Sequence, residues 1–182
     1  MVLLVLLAVG LAFFGITAPI FYGLLAGLVM PVVVSMRLHQ LAEKSLVVIP
    51  KQLTHWTVYV QGIPVQETRN SLTNPCFAIG DQLQTFFWRA FFLKFVIQAG
   101  ALLMLLLQLW PFSDIWVVLG GGLLVGIWLW VKCVDTGKTL ASVKNQTWVV
   151  EEVRSAMDSL WYRADFSRQG QRIAALEKLL AL

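Results

Sequence analysis

The chain has 182 residues, of which 58% are hydrophobic and 13% are charged, and its mean hydropathy is +0.74. Soluble domains usually carry about 25% charged residues, so this chain has too little polar surface to cover a soluble core. The net charge of +4 comes without a dense run of Lys or Arg, which excludes the pattern typical of a nucleic-acid-binding surface. The composition predicts an integral membrane protein, and three apolar segments predict an α-helical fold with three transmembrane helices.

Residues 1–36 contain no charged side chain and form the first predicted membrane segment. A helix of that length would extend about 54 Å, well beyond a hydrocarbon core of ~30 Å. We expect one long span over roughly residues 3–30, tilted or kinked near Pro19 because proline removes a backbone donor. The alternative is a hairpin of two spans, each of about 16–18 residues. Gly23 and Gly27 form a GxxxG motif, which would let another helix approach closely.

Residues 37–86 are predicted to form a cytoplasmic region with possible short strands. Apolar and polar side chains alternate from Trp56 to Gln61, a pattern typical of a β-strand that could turn back at residues 61–62. Pro64 would confine the second strand of such a hairpin to a sheet edge.

Residues 87–131 are predicted to form a tight transmembrane hairpin. They include two charge-free runs, residues 95–113 and 115–131, and each run approaches the ~20 residues needed to cross a bilayer. Only the short turn at residues 111–114 separates the helices. Tryptophans at this turn and near the outer ends match the aromatic belts of membrane interfaces; they are Trp88, Trp110, Trp116, Trp128 and Trp130.

Polar and small residues of this hairpin predict how its helices pack. Gln98 and Gln108 fall on the same face as Lys94, within about 80° of arc. We expect both glutamines to bond neighbouring helices, and Lys94 to extend to the cytoplasmic interface. The alternative, a path for a solute or proton, lacks an intramembrane acid as a relay partner. Gly122 and Gly126 form a second GxxxG motif, which favours close helix packing.

Lys and Arg flank the hairpin and are absent from its turn. The positive-inside rule therefore predicts a cytoplasmic middle region, a cytoplasmic C-terminus and an external turn. If residues 1–36 cross once, the N-terminus lies outside. The compact, loop-poor design favours the inner (cytoplasmic) membrane of a bacterium.

The tail, residues 132–182, is predicted to be cytoplasmic and to contain an amphipathic helix over residues 149–164, with a second short helix after Gly170. Four apolar residues of the first helix are expected to bind a partner: Val153, Met157, Leu160 and Trp161. The opposite face, which extends to Asp165, carries four acidic residues against two arginines. An acidic face disfavours adsorption to anionic lipid, so docking against protein is favoured.

The sequence contains no GxSxG, HExxH, P-loop or GxGxxG motif, so neither an enzyme nor a cofactor or metal is expected. The leading hypothesis is a non-catalytic inner-membrane subunit of a larger envelope assembly, such as a secretion or transfer machine or a multisubunit membrane complex. Its expected partners are the lipid bilayer and other membrane-protein subunits or a second copy of itself, with no nucleic acid. The alternatives are a small homo-oligomeric transporter or channel component, and a membrane immunity or exclusion factor.

Overall fold

The computed structural model describes residues 2–50, 53–60, 63–70, 74–112, 115–154, 160–168 and 171–181. The helices are α1 (Val2–Phe13), α2 (Ala18–Leu24), α3 (Met30–Glu43), α4 (Gly80–Leu109), α5 (Trp116–Lys144) and α6 (Ala175–Leu180). The strands are β1 (Val47–Val48), β2 (Leu53–Val60), β3 (Ile63–Asn70), β4 (Cys76–Phe77), β5 (Val149–Arg154), β6 (Leu160–Arg168) and β7 (Gln171–Ala174).

The chain divides into two compact units. The helical unit comprises Met1–Arg37, Gln84–Thr147 and Leu179–Leu182, and the sheet unit comprises Leu38–Leu83 and Trp148–Lys178.

Three helices are long and apolar enough to cross a membrane: Ala18–Glu43, Gly80–Leu109 and Trp116–Lys144. They confirm the prediction of three candidate spans in a helical membrane protein. The second and third have 30 and 29 residues, which corresponds to about 45 Å each. They are therefore longer than the charge-free runs, because the helices continue through the polar residues at their ends.

The first apolar segment is broken after α1 by a Schellman motif. Gly15 adopts a φ of 85°, a left-handed conformation that glycine reaches without strain. Its N–H donates to the carbonyl of Ala12 at 2.9 Å, and the N–H of Ile16 donates to the carbonyl of Leu11 at 3.1 Å. Ile16 and Leu11 are both buried, which supplies the hydrophobic contact that accompanies this motif.

This break overturns the predicted span over residues 3–30. The membrane-spanning helix begins at Ala18, with Pro19 in its first turn, where a missing N–H is tolerated. The preceding helix α1 has 12 residues and extends only ~18 Å, too short to cross a bilayer. The alternative of two full spans within residues 1–36 is therefore wrong as well.

A π-helical turn at Leu25–Val29 joins α2 to α3 within the first span. The N–H of Met30 donates to the carbonyl of Leu25, five residues earlier. Pro31 follows directly and has no N–H to continue the α-helical pattern, which is a recognised cause of such a local widening.

The sheet unit contains two antiparallel sheets. The larger has five strands in the order β1-β4-β6-β5, with β7 also paired to β6, and the smaller is the hairpin of β2 and β3. The hairpin register runs from Leu53 opposite Asn70 to Val60 opposite Ile63, and residues 61–62 lie outside the described residues. This confirms the predicted strand hairpin, and Pro64 lies in a strand of a two-stranded sheet, as expected for a residue that cannot donate.

The predicted amphipathic helix over residues 149–164 is wrong. β5 and β6 pair antiparallel there, from Val149 opposite Asp165 to Arg154 opposite Leu160. Valines in β5 and neighbouring aromatic residues in β6 favour a pleated strand, in which they pack across the ladder. The expected short helix near the C-terminus is formed as α6, but Ile173 belongs to β7.

Candidate functional site

Gln98 bonds the first span from the buried face of α4. Its Nε2 atom donates to the Tyr22 hydroxyl at 3.4 Å, and both side chains are almost fully buried. The Tyr22 ring also packs edge-on against Trp128 of α5, with 5.6 Å between ring centroids. Within the described part of the chain, the Oε1 atom of Gln98 has no hydrogen-bond partner. The amide therefore links α4 to Tyr22 at the point where all three spans meet.

Gln108 caps the beginning of the first span. Its Oε1 atom accepts from the N–H of Ala18 at 3.0 Å, and its Nε2 atom donates to the Thr17 hydroxyl at 3.1 Å. The first N–H groups of a helix have no partner within the helix, and the Thr17 side chain makes no capping bond here. Gln108 supplies the acceptor instead. Since Gln108 is near the end of α4 and Gln98 is closer to its middle, the first span runs antiparallel to α4.

Of the two GxxxG motifs, the one in α5 contributes a close approach to another helix. A Cβ atom built at Gly122 would overlap the Leu109 side chain, with 2.8 Å to Cδ1 and 3.1 Å to Cγ. The same atom at Gly126 would be 3.6 Å from Leu105 Cδ2, an ordinary contact. Gly23 has no heavy atom within 4 Å of such a Cβ, and Gly27 is exposed.

Replacing Gly122 with alanine should lower the free energy of unfolding of the helical unit by about 1–3 kcal/mol, because Leu109 must move to a less favourable position. Thermal unfolding in detergent, followed by circular dichroism, measures the effect. The matched control is Gly126→Ala, which brings the same gain in helix propensity without the overlap.

A double-mutant cycle assigns that loss to Leu109. In the background of Leu109→Ala, which removes the overlapping methyl groups, Gly122→Ala should have a smaller effect. If Gly122→Ala were as stable as Gly126→Ala in the wild-type background, α5 would not depend on glycine at this position.

Lys94 is 6% exposed and bonds the C-terminal end of α6. Its Nζ atom donates to the carbonyls of Leu179 at 2.8 Å and Ala181 at 2.6 Å. The last carbonyls of a helix lack intrahelical partners and carry partial negative charge. A buried ammonium group therefore caps this end, in place of the expected extension to the interface.

Asn74 is the polar centre of the sheet unit. Its Nδ2 atom donates to the carbonyl of Ala164 and, at 3.0 Å, to Oδ1 of Asp165. Its Oδ1 atom accepts from the N–H of Leu176 at 3.4 Å. One buried side chain thus joins β6 to the first turn of α6. The sequence shows Asn74 only as part of a turn-forming stretch, and nothing in the sequence marks it as buried.

An ion-pair network extends from this centre to the surface. Arg163 Nε lies 3.5 Å from Asp165 Oδ2, and Arg163 Nη2 lies 2.7 Å from Glu151 Oε2. Glu151 is also 3.8 Å from Arg172 Nη1. These partly exposed pairs connect β5, β6 and β7. Exposed pairs of this kind contribute little individually, so the buried Asn74 contacts dominate the cluster.

Burial raises the pKa of the Cys76 thiol above its ordinary value of 9.0; Arg163 partly opposes the shift and Asp165 adds to it. The folded state therefore holds the thiol proton more tightly than the unfolded state. The protonated thiol therefore contributes to the stability of the folded state. This contribution is complete below the pKa that Cys76 has in the unfolded chain, and it is lost as pH rises through the pKa of the folded protein.

The raised pKa predicts slow alkylation of Cys76. The test uses the Cys133→Ala variant, because Cys133 is the other of the two cysteines in the chain. The midpoint of the pH profile of the rate with iodoacetamide should lie above that of the urea-unfolded control, since the thiolate is the reactive form. Mass spectrometry of timed samples gives the profile. The same midpoint in the folded and the urea-unfolded protein would contradict the raised pKa.

The predicted partner-binding residues of the tail do not share one surface. Val153 and Trp161 face each other across the β5–β6 ladder. Leu160 is 45% exposed and, as the neighbour of Trp161 in a strand, points to the opposite face. Met157 lies outside the described residues.

Three apolar spans, of which the first is bonded to α4 through Gln98 and Gln108, together with a five-stranded sheet, define a multi-pass helical membrane protein with a β-rich unit. Comparison with protein-family models, curated proteins and solved structures yields no match. Over the ranges that the structure describes, no group of three or more His, Cys, Asp or Glu residues could hold a metal ion.

Proposed function

We propose that the protein is a non-catalytic membrane subunit of a larger assembly, anchored by its three spans, and that it binds a partner protein through β2. The observation that carries this proposal is the hairpin of β2 and β3, which forms a sheet of its own. A two-stranded sheet is marginally stable by itself, and a third strand stabilises it.

The two strands of the hairpin differ in how they protect their edges. β3 carries Pro64, Glu67 and Arg69, whereas the eight residues of β2 include neither proline nor a charged residue. Proline and charge are the usual means by which an edge strand avoids pairing with another chain. β2, paired with β3 alone among the described strands, is therefore suited to accept an extended segment of a partner by β-strand addition.

We propose an inner-membrane location, in a bacterium, with the turn between α4 and α5 outside and the basic ends of the spans in the cytoplasm. The Gln108–Ala18 contact supports this orientation because the beginning of the first span lies at the same end as that turn, which contains no Lys or Arg. The C-terminus and the sheet unit then lie in the cytoplasm.

The test is co-purification in mild detergent with stoichiometry measured by mass spectrometry. Thr57→Lys should reduce the bound partner at least fivefold, because a lysine on the β2 edge disfavours strand addition. Thr68→Lys is the matched control: it makes the same substitution on β3, which already carries proline and charge, and it should retain the partner. A closed homo-oligomer that conducts solute, with no second protein and no effect of Thr57→Lys, would instead support the transporter alternative.

A further inference from the structure

An apolar groove runs between α1 and the first two turns of α5. Its volume is about 360 Å³, and every residue that lines it is apolar or glycine. The walls and floor include Leu6, Leu7, Gly10, Phe14, Val117 and Gly121. Leu7 closes the groove on one side, where its Cδ2 atom would lie 3.3 Å from a Cβ at Gly121. At Gly10, in contrast, a Cβ would have no heavy atom within 4 Å.

The groove lies near one membrane interface. The α5 residues that line the groove begin directly after Trp116. Trp116 and Trp110 are 85% and 86% exposed at this end of the spans, as in an aromatic belt. The groove also lies within the depth of one leaflet: its lining residues on the α1 side, from Leu6 to Phe14, extend about 12 Å, compared with ~15 Å for half of a 30 Å hydrocarbon core.

The chemistry of the groove selects its occupant. Water requires polar partners that this lining lacks, and an empty groove would lose dispersion contacts along its walls. A stable protein interface buries on the order of 1,000 Å² or more, far more than eight lining residues offer. A single hydrocarbon chain fits both the lining and the length.

We propose that this groove binds one acyl chain of a membrane phospholipid from the leaflet nearest the α4–α5 turn, with the headgroup at the level of Trp116. The lipid fills the space between α5 and α1, which is too short to span the bilayer. The bound chain thereby holds α1 against the spans.

The test compares two glycine substitutions. In Gly10→Leu the new side chain fills the groove, whereas Gly23→Leu makes the same change on a helix outside it, at a position with equally open surroundings. Delipidated protein is melted in detergent with and without added dioleoylphosphatidylethanolamine. A ligand that binds the folded state raises the melting temperature, so the wild type and Gly23→Leu should gain several degrees. Gly10→Leu should gain none and should retain at least fivefold less phospholipid in native mass spectrometry.

A labelling experiment on the wild type covers the case in which Gly10→Leu does not fold. A phospholipid with a diazirine in its acyl chain should label Phe14 and Val117 at least fivefold more than Leu106 and Leu107, which are exposed elsewhere on the spans. Equal labelling of both pairs would overturn the proposal. An undiminished rise of the melting temperature with lipid in folded Gly10→Leu would also overturn the proposal. A crosslink of Val117 to a second copy of the chain, instead of to lipid, would do the same.

Discussion

Replacing Asn74 with alanine should lower the free energy of unfolding of the sheet unit by about 3 kcal/mol. The change removes the bonds to Ala164, Asp165 and Leu176, and it leaves buried groups of β6 and α6 without partners. A buried unsatisfied polar group costs about 1–3 kcal/mol, and the loss of a buried network is among the few single changes with larger effects. Urea unfolding in detergent, followed by hydrogen exchange of β6 and α6, measures the loss.

Asn145→Ala is the control, because Asn145 is an exposed residue directly after α5 and its loss should change stability by less than about 0.5 kcal/mol. Equal stability of the two variants would mean that Asn74 does not hold β6 and α6 together.

Replacing Lys94 with methionine should release the C-terminal end of α6. The two charge-assisted bonds to Leu179 and Ala181 disappear, while the apolar stem of the side chain is kept. Bonds of this kind are stronger than neutral ones, and a cation at a helix C-terminus adds a favourable dipole interaction. Hydrogen exchange of the α6 amides should accelerate about 30-fold, which corresponds to ~2 kcal/mol.

The control is Lys138→Met, which removes an exposed lysine of α5 and should leave that exchange unchanged. Failed membrane insertion cannot mimic the result, because loss of a charge makes a membrane helix easier to insert. Unchanged exchange in Lys94→Met would contradict the capping role of Lys94.

The spans could be predicted from the sequence because the bilayer demands a fixed length of apolar residues. The boundary of the first span could not be predicted, because Gly15 and Pro19 both lie inside a continuous apolar segment. Composition does not reveal which of the two interrupts the helix. The decisive feature is the left-handed conformation of Gly15, which depends on the packing of Ile16 and Leu11.

The tail shows why a helical wheel fails for short segments. The apolar residues of 149–164 fit one helical arc, but its valines and aromatic residues also favour strands, and periodicity over so few residues does not separate the two states. The pairing of β5 with β6 and of β6 with β4 decides the outcome, and β4 is remote in sequence.

Likewise, Gln98 and Gln108 can be recognised as polar residues in a span. Their partners Tyr22 and Thr17 lie 76 and 91 residues away, beyond what one sequence reveals.

Cysteine accessibility tests the proposed membrane orientation most directly. In a Cys76→Ala/Cys133→Ala background, which removes both native thiols, single cysteines are introduced as Phe112→Cys in the turn after α4 and as Lys138→Cys near the end of α5. Intact cells are treated with a membrane-impermeant maleimide, and a second sample is treated after permeabilisation. Phe112→Cys should be labelled in intact cells and Lys138→Cys only after permeabilisation, because the positive charges lie at the end opposite the turn. Labelling of Lys138→Cys in intact cells, with Phe112→Cys protected, would contradict this orientation.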